Sequence, residues 1–128
     1  MRRITIEGGY PVWIEEIAKA DTPWRDVDEI AAALQDRIRR CGAAFIGVFD
    51  HYGLNLRMGA PLPVAMQDAK TILFCPCAKL LDPLLLALLP CTIGVSDMGN
   101  RFVISFRDTP IFTPTETLNL WVDDLRTP

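Results

Sequence analysis

Ala43-Ala44-Phe45-Ile46-Gly47-Val48-Phe49, followed by Asp50-His51-Tyr52-Gly53, is the stretch on which the fold turns. Its apolar residues occupy consecutive positions, so they fall on both faces of an extended chain, where successive side chains alternate. A strand of that kind belongs inside a sheet, covered on both sides by helices or by a partner chain. Residues 43–49 are therefore expected to be central or nearly so. The same holds for Thr71-Ile72-Leu73-Phe74-Cys75, which Pro76 ends or places at an edge.

Upstream of this strand the pattern is helical. Val27, Ile30, Ala31, Leu34 and Ile38 form one apolar stripe from about Asp26 to Cys41. Asp26 and Glu29 have capping-box spacing, and Gly42 is the stop signal. Further back, Val12 to Ile17 alternates in part and reads as a strand, broken by Thr22-Pro23-Trp24. Downstream, residues 53–70 contain Gly59, Pro61 and Pro63 and read as a long irregular segment, with room for a short helix near Val64 to Ala69.

Asp82-Pro83 opens a helix that is apolar all round and that Pro90 closes. Thr92 to Ser96 and Arg101 to Phe106 flank Asp97-Met98-Gly99-Asn100, which is hairpin chemistry. Thr113-Pro114-Thr115-Glu116 is a capping box for a last helix carrying Leu118, Trp121, Val122 and Leu125 on one face. The order is strand, helix, strand, long loop, strand, helix, hairpin, helix. It predicts a single α+β domain with helices packed on one mixed or mainly antiparallel sheet.

A chain of 128 residues has the length of one domain, and its 50% apolar and 23% charged composition is that of a globular protein. The net charge of −3 argues against nucleic acid as a partner, since phosphate binding needs clustered cations. The one basic cluster, Arg37, Arg39 and Arg40, sits at a helix end, where cations favour the dipole. Leu84 to Leu89 falls far short of the roughly 20 apolar residues that span a bilayer, so no membrane role is expected. Met1-Arg2-Arg3-Ile4-Thr5-Ile6-Glu7 lacks the apolar core of a signal peptide. A cytoplasmic protein with four reduced cysteines is expected.

Several of these features occur together elsewhere: the amphipathic helix with Gly42, the apolar strand ending in Asp50-His51, and Ile72-Leu73-Phe74. A short helix ending at Pro90 and the run Ser105-Phe106-Arg107-Asp108-Thr109-Pro110 follow. In these respects residues 26–110 resemble a widespread bacterial family of small α+β domains of unknown function. The resemblance implies a compact α+β fold and a dimer; it implies no activity and no cofactor.

His51 is the single histidine, and it stands at a strand end beside Asp50 and Tyr52, with Arg57 following. Strand ends that open into loops often hold sites. Asp50, His51, Tyr52 and Arg57 are thus the ligand-binding candidates, against the plainer reading of a histidine bonded to the backbone. As a base, His51 assisted by Tyr52 or Arg57 would suit a hydrolytic or isomerising enzyme. No nucleophile elbow, phosphate-binding loop or dinucleotide fingerprint accompanies it.

Cys75-Pro76-Cys77, with Cys91 and His51, is the alternative, a thiol-based metal or redox site. Unpaired cysteines more often pack as small hydrophobes, so no metal, and no bond between Cys75 and Cys77, is expected. On a regular helix, Leu84, Leu85 and Leu88 would lie on one side and Leu86 and Leu89 on another. The sheet covers one of those sides. A second copy would cover the other, unless Leu54, Leu56, Met58 and Leu62 fold over it. The functional expectation is a small ligand-binding or regulatory module acting as a homodimer, with its pocket near the end of the Phe45 to His51 strand.

Overall fold

A computed structural model describes residues 2–76, 82–107 and 115–128. The strands are β1 (Arg2–Ile6), β2 (Tyr10–Ala18), β3 (Ala44–Asp50), β4 (Asp68–Cys75), β5 (Cys91–Asp97) and β6 (Arg101–Arg107). The helices are α1 (Val27–Arg40), α2 (His51–Met58) and α3 (Thr115–Asp123). The six strands form one antiparallel sheet in the order β1-β2-β6-β5-β4-β3. The α+β class expected from the sequence is the one observed.

Strict alternation along β5 and β6 decides which face is covered. Cys91, Ile93 and Val95 on β5 are buried, as are Phe102, Ile104 and Phe106 on β6, while the residues between them are half-buried. Ile72 and Phe74 of β4 and Ile17 of β2 complete that face. The α1 stripe Val27, Ile30, Ala31, Leu34 and Ile38 and the α3 residues Leu118, Trp121 and Val122 pack on it, with Leu125 just beyond α3. Trp121 meets Phe74 edge-on, with ring centroids 5.8 Å apart. Each large side chain buried here contributes roughly 1.5–3 kcal/mol.

The Asp26 carboxylate accepts from the Glu29 amide at 2.8 Å, and Glu29 reaches back to the Arg25 amide at 2.7 Å. The capping box read from the sequence thus forms with its return bond one residue early. Thr22, which is buried, donates its hydroxyl to the Leu125 carbonyl at 2.5 Å, and Thr127 N donates to Asp21 O at 2.7 Å. These bonds tie the chain beyond α3 to the approach to α1.

Four expectations need correction. β3 is an edge strand, with Ile46, Val48 and Phe49 exposed by 54%, 43% and 44%. Its apolar residues do lie on both faces, but no described strand takes its outer side. Residues 2–6, read only as a non-leader, form β1, which hairpins onto β2 through Gly8 and Gly9 at φ +75° and +86°. Residues 51–58, expected as a strand end running into an irregular segment from Gly53, form α2, while Val64 and Ala65 form a turn and β4 already begins at Asp68.

The expected helix from Pro83 to Leu89 is a 3₁₀ turn, Pro83–Ala87, started by the Asp82 carboxylate accepting from Leu84 N at 2.9 Å. Its tighter winding redistributes the leucines. Leu85 and Leu89 turn inward and are half-buried, whereas Leu84, Leu86 and Leu88 are 78%, 60% and 38% exposed. The end of the resemblance at residues 108–110, the capping box over residues 113–114 and Cys77 lie outside the described residues.

Candidate functional site

The Asp50-His51 step is where β3 becomes α2. The Asp50 carboxylate accepts from Gly53 N at 2.9 Å and so caps the helix. Gly59, with φ +66°, closes α2 at its other end. His51 is the first helical residue and exposed. Its Nε2 and Thr71 Oγ1 share a hydrogen bond of 2.6 Å, in which either partner donates according to the tautomer. Its ring lies 4.6 Å from that of Phe49.

The sheet separates the two residues. Asp50 pairs with Lys70, whose Nζ reaches Asp28 of α1, while His51 bonds Thr71 on the opposite face. Tyr52 is half-buried, and Arg57 lies in the last turn of α2. Six residues along a helix put Arg57 about 9 Å up the axis from His51 and on another side. Asp50, His51, Tyr52 and Arg57 are neighbours in the chain that do not converge on one point. What the geometry shows for Asp50 and His51 is helix starting and strand docking.

Cys75 and Cys91 are also held apart. Cys91 is buried on the helix-covered face beside Phe74, whereas Cys75 pairs with Ala44 and points away from that face. His51 is anchored at Thr71, four residues or about 13 Å along β4 from Cys75. Among the described residues no cluster of ligating side chains forms, and Cys41 and Cys75 are free thiols.

Two grooves do bring polar and apolar groups together. One, of about 370 Å3, lies between α1 and β3 and is lined by Asp28, Ala31, Ala32, Gln35, Val48, Asp50 and Lys70. The hydrogen bond from Lys70 to Asp28 raises the pKa of the ammonium; burial opposes the rise, and Asp68 adds to it. The larger groove, of about 510 Å3, runs between α1 and the end of α3. Ala32, Ala33, Trp24, Trp121 and Leu125 are its apolar lining. On its rim Arg37 pairs with Asp124 at 3.1 Å and Arg40 with Asp36 at 3.0 Å. The Nε1–H groups of Trp24 and of Trp13, the latter on β2 away from this groove, are both buried with no acceptor among the described residues.

With that geometry in hand, comparison with known families is informative about kinship. The profile of DUF6858, a family of unknown function, matches residues 1–127. The chain belongs to this family. No curated protein and no solved structure matches it. For a DUF6858 chain the site must accordingly be argued from its own atoms.

The residues that reading the sequence missed are those of the larger groove. Trp24 looked like part of a strand-breaking triplet, and Trp121 like one more core residue. Their convergence needs α3 laid beside α1, which nothing local in either segment encodes. Ala32 and Ala33, placed together on α1 beside the apolar stripe, were the available signal, since small residues on a helix flank leave space for something else. No helix among the described residues is long and apolar enough to cross a membrane.

Proposed function

We propose that the protein is a small-ligand-binding module whose site is the groove between α1 and α3. The observation that carries this reading is a groove of about 510 Å3 between α1 and α3 lined by Trp24, Ala32, Ala33, Trp121 and Leu125. A groove of that size, apolar along its walls with a few polar groups beside them, is the usual form of a small-molecule site.

The rest of the lining narrows the class. Walls of Trp24, Trp121 and Leu125 favour a flat, apolar body. Both arginines on the rim already have carboxylate partners, so a charged ligand finds no unanswered cation there. The chemistry fits a neutral aromatic molecule. This place differs from the end of β3 expected from the sequence; of Asp50, His51, Tyr52 and Arg57, only Asp50 lines a groove, the smaller one.

Titration with prodan, a neutral fluorescent aromatic ketone, tests the reading. Saturable binding of one probe per chain is expected, with a blue-shifted emission. Ala32→Leu and Ala33→Leu, which each fill space in the groove, should weaken binding about tenfold. Unsaturable binding, or affinity indifferent to both substitutions, would sink the proposal.

A further inference from the structure

We infer that two copies of the chain pair antiparallel along β3, with Val48 opposite its own counterpart, to make one continuous sheet. This stands apart from the ligand groove between α1 and α3. The two edges of the sheet differ in kind. β1 is five residues long and carries Arg2 and Arg3. Charge and shortness are how edge strands resist pairing. β3 is seven residues long, has no Lys, Arg or Pro, and exposes Ile46, Val48 and Phe49. Its outward N–H and C=O groups can be satisfied in a dry setting only by another strand, and apolar neighbours on both faces make the setting dry.

A second copy is the strand that the geometry fits. A two-fold axis normal to the sheet keeps the helix layers on one side, so opposed residues must share a face. The β-bulge between Phe45 and Gly47 restricts the possible registers. Phe45 pairs with Phe74 on the helix-covered face, and Phe49 with Thr71 on the other. A register centred on Gly47 would set Phe45 against Phe49 and fails. Centring on Phe49 leaves only residues 48–50 of the strand paired.

Centring on Val48 pairs residues 46–50 throughout. Phe49 then lies opposite the partner's Gly47, and both are on the uncovered face. The direction in which Gly47 would carry a Cβ is open, with nothing within 4 Å. An aromatic ring laid over a strand glycine covers backbone that the glycine leaves bare. On the helix side the two Val48 side chains meet at the mouths of the α1–β3 grooves, where they are otherwise 43% exposed. Leu84, Leu86 and Leu88, the exposed leucines of the Pro83 to Leu89 segment that the sequence suggested for self-association, lie on the connection from β4 to β5.

Sedimentation equilibrium of the full chain over nanomolar to high micromolar concentration reads the result. A dimer is expected, weakened at least tenfold by Val48→Lys and unchanged by Leu84→Glu. Val48→Cys in a Cys41→Ser background should form an interchain disulfide under mild oxidation, and Thr5→Cys on the β1 edge should not. Because Val48 is an exposed edge residue, Val48→Lys should keep the far-ultraviolet dichroism of the wild type. A monomer at every concentration, or a dimer broken by Leu84→Glu and not by Val48→Lys, overturns the inference. A dimer in which Val48→Cys does not cross-link overturns the register.

Discussion

Lys70 holds α1 to the sheet through charge as well as packing. Its Nζ donates to Asp28 at 2.5 Å and lies 3.3 Å from Asp68, with 17% of the side chain exposed. The hydrogen bond to Asp28 lifts its pKa above the ordinary lysine value, against the opposing effect of burial and with the help of Asp68. A folded pKa above the unfolded one means that this contribution is complete below the unfolded value and lost as pH rises through the folded one. Asp28 is 74% exposed, so solvent screens the pair and its worth is under about 1 kcal/mol. Lys70→Met should therefore lower stability by no more than that at neutral pH. The gap between wild type and variant in urea unfolding should stay level up to about pH 10 and close above it. A gap that closes between pH 7 and about pH 9 instead would show that another group dominates.

At the scale of one element, α2 depends on its first turn. Asp50 caps it through Gly53 N, and a Cβ at residue 53 would run into the same carboxylate. Alanine in place of a helical glycine ordinarily adds about 1 kcal/mol of stability. Gly53→Ala should gain little or nothing here, because it displaces the cap. Asp50→Ala should cost about 1 kcal/mol. Hydrogen exchange of the α2 amides can check both: faster exchange in Asp50→Ala, and no slowing in Gly53→Ala. A clear slowing in Gly53→Ala would mean that the carboxylate moves aside freely. The cap also fixes where β3 stops, and hence how much edge is presented to a second copy.

For the whole molecule, self-association couples to folding. If folded chains pair along β3 and unfolded ones do not, stability rises with concentration by mass action. The thermal midpoint of the wild type should climb as protein concentration increases, and that of Val48→Lys should not. Differential scanning fluorimetry across a hundredfold dilution series would reveal the difference. Parallel concentration dependence in both proteins would point to an interface elsewhere, with Leu84, Leu86 and Leu88 the next surface to substitute.

Much of the fold was legible in local spacing. The α1 stripe, the hairpin of β5 and β6 and the Leu118, Trp121, Val122 and Leu125 face each repeat with the period of one element, and burial follows that period. The segment that became α2 hid its nature because Leu54, Leu56 and Met58 recur every second residue, a strand-like spacing. Its signs were the flanking Asp50, Gly59 and Pro61. β1 was likewise visible in the alternation of Arg3-Ile4-Thr5-Ile6 before Gly8-Gly9.

The candidate site was less legible than the fold. Asp50 and His51 stood out as chemistry and serve to start a helix and dock it, while Trp24 and Trp121 stood out only as bulk. The sequence by itself determined which residues of α1, β5, β6 and α3 face inward, because side-chain direction within a regular element is set by backbone geometry one residue at a time. Only the tertiary structure decided which strand lies beside which. Backbone hydrogen bonds between distant strands are the same for every residue type, so apolar residues 43–49 could mark a centre or an edge. Pairing with β4 on one side, and with no described strand on the other, put them at the edge.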